Sequence, residues 1–151
     1  MHIQEKNMPQ FIGFVAHDAC KDDLLAWVST HKERFRDHKI VATGTTGGLL
    51  ARAFPELSVT QLLSGPLGGD AQLATMIAED RLALLVFLID PMSPQPHDVD
   101  VRTLLRMAVL HNVPAAFNIA TADYLVESRL FGSAYKPGRR DFSEHLGRLK
   151  E

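Results

Sequence analysis

The sequence predicts a single doubly wound α/β domain, residues 1–151, with a mainly parallel sheet. Three observations carry that expectation. Short apolar runs alternate with segments of helical period, the pattern of strands joined by crossover helices. Polar residues or glycine follow almost every apolar run, as they do where strands end at a ligand crevice. No linker, internal repeat or low-complexity tract interrupts the alternation.

The elements follow in order. The first strand is predicted over 11–16, where Phe11-Ile12-Gly13-Phe14-Val15-Ala16 runs into His17-Asp18. Leu24, Leu25, Trp27 and Val28 then recur at spacings that build one apolar helix face. Ile40-Val41-Ala42 forms the second strand, and Leu49, Leu50 and Ala53 mark the second helix. The third strand is expected over 59–63, followed by a helix over 71–79 whose apolar face is Leu73, Met76 and Ile77. The apolar run 82–89 supplies a fourth strand at 84–89, and Leu104, Leu105, Ala108 and Val109 the fourth helix. A last strand is expected over 115–119.

A chain of 151 residues is long enough to bury roughly 70% of its unfolded surface without disulfides or metals. The lone Cys20 has no intrachain partner, and Met1-His2-Ile3-Gln4-Glu5-Lys6 lacks the apolar stretch of a signal peptide, so a reducing cytoplasm is expected. Crossing a bilayer takes about 20 apolar residues, more than the run 82–89 offers, and no membrane role is expected. Sixteen basic residues against eighteen acidic ones give a formal charge of −2. That balance provides no positive field for nucleic acid. Lys136, Arg139 and Arg140 read as a solvated basic stretch.

In a doubly wound sheet the residues just after the strands converge on one crevice. Here they are His17-Asp18, 43–48, 64–70, 90–100 and 118–123, which gather two histidines and several carboxylates on one rim. Ala42-Thr43-Gly44-Thr45-Thr46-Gly47-Gly48 passes from a strand into a helix, and backbone N–H groups at the positive end of a helix dipole suit a phosphate. The same threonines could instead serve as ordinary caps.

Taken together and in order, Val15-Ala16-His17-Asp18, residues 42–47, Leu63-Ser64-Gly65-Pro66 through Gly68-Gly69-Asp70, Asp90-Pro91, Pro96-His97-Asp98 with Asp100, and Asn118 with Ala120-Thr121-Ala122-Asp123 closely resemble the methylglyoxal synthase family. The similarity runs from about residue 11 to 123, with a weaker match at 146–150. Val99 stands where the family often has proline, and Phe117 where it usually has something smaller. The resemblance implies a methylglyoxal synthase-like fold with flavodoxin-like layering and a carbon–oxygen lyase that converts dihydroxyacetone phosphate to methylglyoxal and inorganic phosphate. It also implies no metal or organic cofactor and a homohexamer.

The chemistry requires a base beside a ketone and a donor on its oxygen. The resemblance assigns the base to Asp70, which Gly68-Gly69 lets approach a substrate closely; the competing reading makes Asp70 a helix cap. An imidazole donates on one nitrogen and accepts on the other, so His97 is the first candidate for carbonyl donor and proton shuttle, with Asp100 to orient its ring and His17 as second candidate. His17, Asp70, Asp90, His97 and Asp100 lack compact metal-ligand spacing. For the phosphate, Lys21 supplies the cation, the resemblance implies hydrogen bonds from Thr45, Thr46 and Gly65, and Thr43, Gly44 and Ser64 line the same pocket. Arg106 and Arg148 are further candidate anion partners, Arg148 from a neighbouring subunit, and inorganic phosphate is an expected inhibitor. Two other functions share parts of this pattern. An effector-binding domain like that of carbamoyl-phosphate synthetase would use the threonine loop and Lys21 without Asp70, His97 and Asp100, and an isomerase of the same substrate would share base and donor.

Overall fold

The computed structural model describes residues 10–148. The amino-terminal segment behind the expectation of no signal peptide, and residues 149–150 of the weaker carboxyl-terminal resemblance, lie outside that range. Strands β1 (Phe11–Ala16), β2 (Lys39–Ala42), β3 (Ser58–Gln61), β4 (Leu82–Leu88) and β5 (Ala115–Ala116) form one sheet in the order β3-β2-β1-β4-β5. Every pairing is parallel, with Phe14 of β1 opposite Ala42 on one side and Val86 on the other. Helices α1 (Lys21–Phe35), α2 (Gly44–Ala53), α3 (Gly69–Ala78), α4 (Asp98–Leu110), α5 (Ile119–Glu127) and α6 (Ser143–Arg148) complete the described chain.

Both faces of the central strands are buried, which is why β1 and β4 read as unbroken apolar runs. Alternate residues of β1 serve opposite layers. Ile12, Phe14 and Ala16 pack with Leu24, Trp27, Val28 and Phe35 of α1, Leu50 of α2 and Ala122 and Val126 of α5. Val15 faces Leu73, Met76 and Ile77 of α3 and Leu104 and Ala108 of α4. The Phe14 ring meets Trp27 and Phe35 edge-on, with centroids 6.1 and 5.4 Å away.

Two strand ends and one helix face differ from the sequence expectation for a local reason, and β4 spans Leu82–Leu88 rather than 84–89. The last strand stops at Ala116 rather than 119 because Asn118 starts α5: its side chain accepts the Thr121 N–H at 2.9 Å and the Thr121 hydroxyl at 2.8 Å. That side-chain cap competes successfully with strand extension. β3 ends at Gln61 rather than 63 because the Leu63 N–H goes to the Gln72 side chain at 2.9 Å and the Leu63 carbonyl to the Gly44 N–H, also at 2.9 Å. On α4, Val109 points outward and is 82% exposed, while Val101 takes the inner position beside Leu104 and Ala108.

The loops after β2 and β3 are drawn together by contacts that only glycine allows. A Cβ on Gly44 would lie 2.7 Å from the Ser64 nitrogen, and one on Gly69 only 2.0 Å from the Leu63 carbonyl oxygen. Gly68 is glycine for a different reason, its φ of +107°. The two causes predict different costs. Gly68→Ala meets no neighbour within 4 Å and should cost about 1–2 kcal/mol for the left-handed backbone. Gly69→Ala must displace α3 and should cost more, about 3 kcal/mol or above. Denaturant unfolding of both variants checks the order.

Candidate active site

One wall of the crevice is built from the ends of β1 and β2. Thr43 precedes α2 in an extended conformation, yet its side chain accepts no helix N–H, so the loop is not there simply to cap. The Gly44 N–H is spent on Leu63. That corrects the expectation that Gly44 lines the phosphate pocket: it is the packing contact that seats Ser64 and Gly65, and it does not border the cavity. The N–H groups of Thr45 and Thr46 follow in the first turn of α2, where no intrahelical acceptor exists. The Thr46 hydroxyl donates to the Ala16 carbonyl at 3.4 Å, and the same carbonyl accepts from Lys21 Nζ at 3.2 Å. Lys21 also pairs with Asp18, and because the Asp18 side chain is 99% exposed and that of Lys21 only 15%, the ammonium faces the cavity more than the solvent. These groups form a cationic, N–H-rich concavity at a helix N-terminus.

The facing wall carries the proton-transfer groups. Asp70 lies in the first turn of α3, fully buried, and neither carboxylate oxygen has a hydrogen-bond partner among the described residues. It is therefore not a cap. Burial pushes its carboxyl above the ordinary aspartate value, the charge of Asp100 adds to that, and His97 opposes it. A helix N-terminus alone would make Asp70 a weaker base, and desolvation reverses the sign. His97 Nε2 stands 3.3 Å from Asp70 Oδ2, and its Nδ1 is buried without a partner among the described residues. The His97 ring fits only because Gly65 lacks a side chain: a Cβ there would lie 2.6 Å from Nε2. His17, 6% exposed, sits edge-on to His97 at 5.9 Å and to Phe87 at 5.2 Å. Its Nδ1 accepts the Asp90 N–H at 3.0 Å, and its Nε2 has no partner among the described residues.

Between the walls lies a cavity of about 250 Å³ bordered by His17, Lys21, Thr43, Thr45, Thr46, Ser64, Gly65, Asp70 and His97. The structure thus brings together nearly all the residues singled out in the sequence. It does not bring Asp100 to the His97 ring: Asp100 occupies the first turn of α4, its N–H bonded to the His97 carbonyl, and acts on the site through its charge on Asp70. Arg106 and Arg148 are exposed and border no part of the cavity. Val99 is 67% exposed on the first turn of α4, and Phe117 is 38% exposed after β5, both outside the cavity lining. Pro66, quoted in the 63–66 motif without a role, also lines it, as does Gln95, which was not singled out in the sequence. The signal for Gln95 was its place between Pro94 and Pro96, which stiffen the loop on both sides. Among the described residues, no group of three or more His, Cys, Asp or Glu converges as a metal site.

Comparison with known proteins places this arrangement. The MGS-like domain family matches residues 23–117. The chain is 54% identical over 138 residues to the methylglyoxal synthase of Oleidesulfovibrio alaskensis, covering 91% of this chain and 94% of that one. It is 45% identical to the methylglyoxal synthase of Pectobacterium atrosepticum, covering 99% of this chain and 100% of that protein. The crystal structure of methylglyoxal synthase from Elizabethkingia anophelis superposes with a TM-score of 0.84 at 40% identity, covering 92% of both chains. With a family match over residues 23–117 and relatives 54% and 45% identical over 91% and 99% of its length, the chain belongs to the methylglyoxal synthase family.

Proposed function

We propose that the protein, acting as one domain, converts dihydroxyacetone phosphate to methylglyoxal and inorganic phosphate, and that the cavity between α2 and α3 is where it does so. One observation carries the reading: a fully buried carboxylate with no hydrogen bond among the described residues, Asp70, faces a cavity whose other wall holds Lys21 and the amino end of α2. A binding module for phosphorylated effectors needs the second wall but has no use for the first.

Asp70 takes a proton from the hydroxymethyl carbon beside the ketone, and the electron pair moves into an enediolate whose oxygens His17 and His97 stabilise. His97, against Asp70, relays a proton between those oxygens. The enediolate then expels phosphate from the third carbon, leaving an enol that gains a proton on carbon to become methylglyoxal. Loss of phosphate requires its C–O bond to stand out of the enediolate plane; held in plane, the intermediate would be reprotonated to an isomer. Lys21, Ser64, Gly65 and the amides of Thr45 and Thr46 set that angle by gripping the phosphate, and the same grip makes inorganic phosphate an inhibitor. Neither metal nor organic cofactor enters this sequence of steps.

The protein works in the cytoplasm and assembles as a homohexamer in this reading. Leu67 and Met92, in the segments after β3 and β4, and Val99, on the first turn of α4, are 72%, 87% and 67% exposed and are apolar surface suited to contact between copies. Among the described residues no helix is long and apolar enough to cross a membrane.

The direct test incubates the protein with dihydroxyacetone phosphate and measures both products. Methylglyoxal and phosphate should appear in equal amounts; isomerisation without phosphate release would overturn the reading. Asp70→Asn should lower kcat by at least about 100-fold, the scale of a lost general base. The same substitution should stabilise the fold. Because burial raises the folded-state pKa above the ordinary 3.8, the ionised group costs stability once the pH exceeds the folded value and costs nothing well below 3.8. Asp70→Asn should therefore melt higher than wild type at neutral pH, with the gain vanishing on acidification through the folded pKa. Lys21→Ala removes a charge-assisted contact of about 1.5–3 kcal/mol, so phosphate should bind roughly ten- to a hundredfold more weakly in calorimetric titration. Stability without ligand should barely move, since its partner Asp18 is exposed.

A further inference from the structure

The two imidazoles in the cavity are held differently. His17 is tied to the end of β4 from both its backbone and its ring: its N–H donates to the Leu88 carbonyl at 3.1 Å, and its Nδ1 accepts the Asp90 N–H at 3.0 Å. An imidazole nitrogen that accepts a hydrogen bond carries no proton, so neutral His17 must carry its hydrogen on Nε2. That Nε2 is buried, has no partner among the described residues, and belongs to a side chain that lines the cavity. Asp90 in turn is fixed by its own side chain, whose Oδ1 accepts the Met92 N–H at 3.0 Å across Pro91. A carboxylate that bonds a backbone amide two residues on closes a tight turn.

We infer that Asp90 is a positioning residue: its backbone N–H locks His17 as the Nε2–H tautomer with the donor in the cavity, and its carboxylate holds that N–H in place through Met92. This assignment rests on the elimination reading and completes it. His17 becomes the fixed, neutral donor to the ketone oxygen, strengthening its bond as that oxygen gains charge. The proton relay is left to His97, which has the Asp70 carboxylate beside it. Burial first, then the nearby charges of His97 and Lys21, favour neutral His17, with Asp90 and Asp18 opposing.

The test reads the ring directly and then the turn. In protein labelled with 15N-histidine, without substrate and at neutral pH, His17 should show an unprotonated Nδ1 and a protonated Nε2. Asp90→Asn keeps an acceptor for the Met92 N–H and should retain that tautomer and rescue most of the turnover. Asp90→Ala loses the acceptor; kcat should fall about tenfold, the factor for one lost hydrogen bond, while KM and phosphate affinity stay close to wild type. A protonated Nδ1 on His17 in the wild type overturns the lock. So do Asn and Ala variants equally impaired with the tautomer unchanged, which would assign the effect to the charge of Asp90. The nitrogen signals need no turnover. A wild type that shows the tautomer but releases no phosphate would refute the reaction and leave the lock standing.

Discussion

Burying an ionisable carboxylate without a hydrogen bond costs several kcal/mol, and Asp70 bears that cost inside a domain whose packing is otherwise conventional. The cost is imposed by position. Asp70 enters α3 right after Gly69, and Gly69 is pressed so tightly under the Leu63 carbonyl that no side chain fits. With the α3 terminus clamped there, the carboxylate makes no cap bond to its own helix and faces the cavity instead. The layers on either side of the sheet, closed around Phe14, Phe35, Leu73 and Leu104, supply the stability that makes the expense tolerable.

The same clamp joins the two halves of the chemistry. Gly44 against Ser64 brings the loop after β3 onto the amino end of α2, and Gly65 under His97 lets the loop after β4 close over it. Three glycine contacts therefore fix the distance between the phosphate wall and the proton-transfer wall. Elimination and isomerisation of one enediolate differ in the angle of a single C–O bond, and an angle is controlled by rigid walls. The spacing of these loops matters as much as the identity of the base.

Much of this was legible in the sequence because a parallel sheet with buried faces writes itself as apolar runs, and its ligand rim as the polar residues after them. Phe11–Ala16 was readable to the residue, and His17, Lys21, Thr45, Thr46, Ser64, Gly65, Asp70 and His97 all reach one cavity. What was hidden depended on partners distant in the chain. Gly44 looked like a phosphate ligand, but Leu63 takes its N–H. Asp100, three residues beyond His97, looked placed to orient its ring; the turn of α4 bonds its backbone to His97 and leaves the ring to Asp70. The end of β5 gave way to the Asn118 cap, and Gln95 drew no notice because only its flanking prolines, Pro94 and Pro96, set it apart from a solvated glutamine.

The ionisation of Asp70 is the most direct measure of this account, because desolvation without a hydrogen bond is what makes a helix-terminal aspartate basic enough to abstract a carbon-bound proton. Protein labelled with carboxyl-13C aspartate, assigned by comparison with Asp70→Asn, can be titrated by NMR in the absence of phosphate. Asp70 should gain its proton at a pH clearly above the ordinary aspartate value. A titration at or below that value would mean the carboxylate is stabilised by a partner in solution, and the base would have to be sought elsewhere.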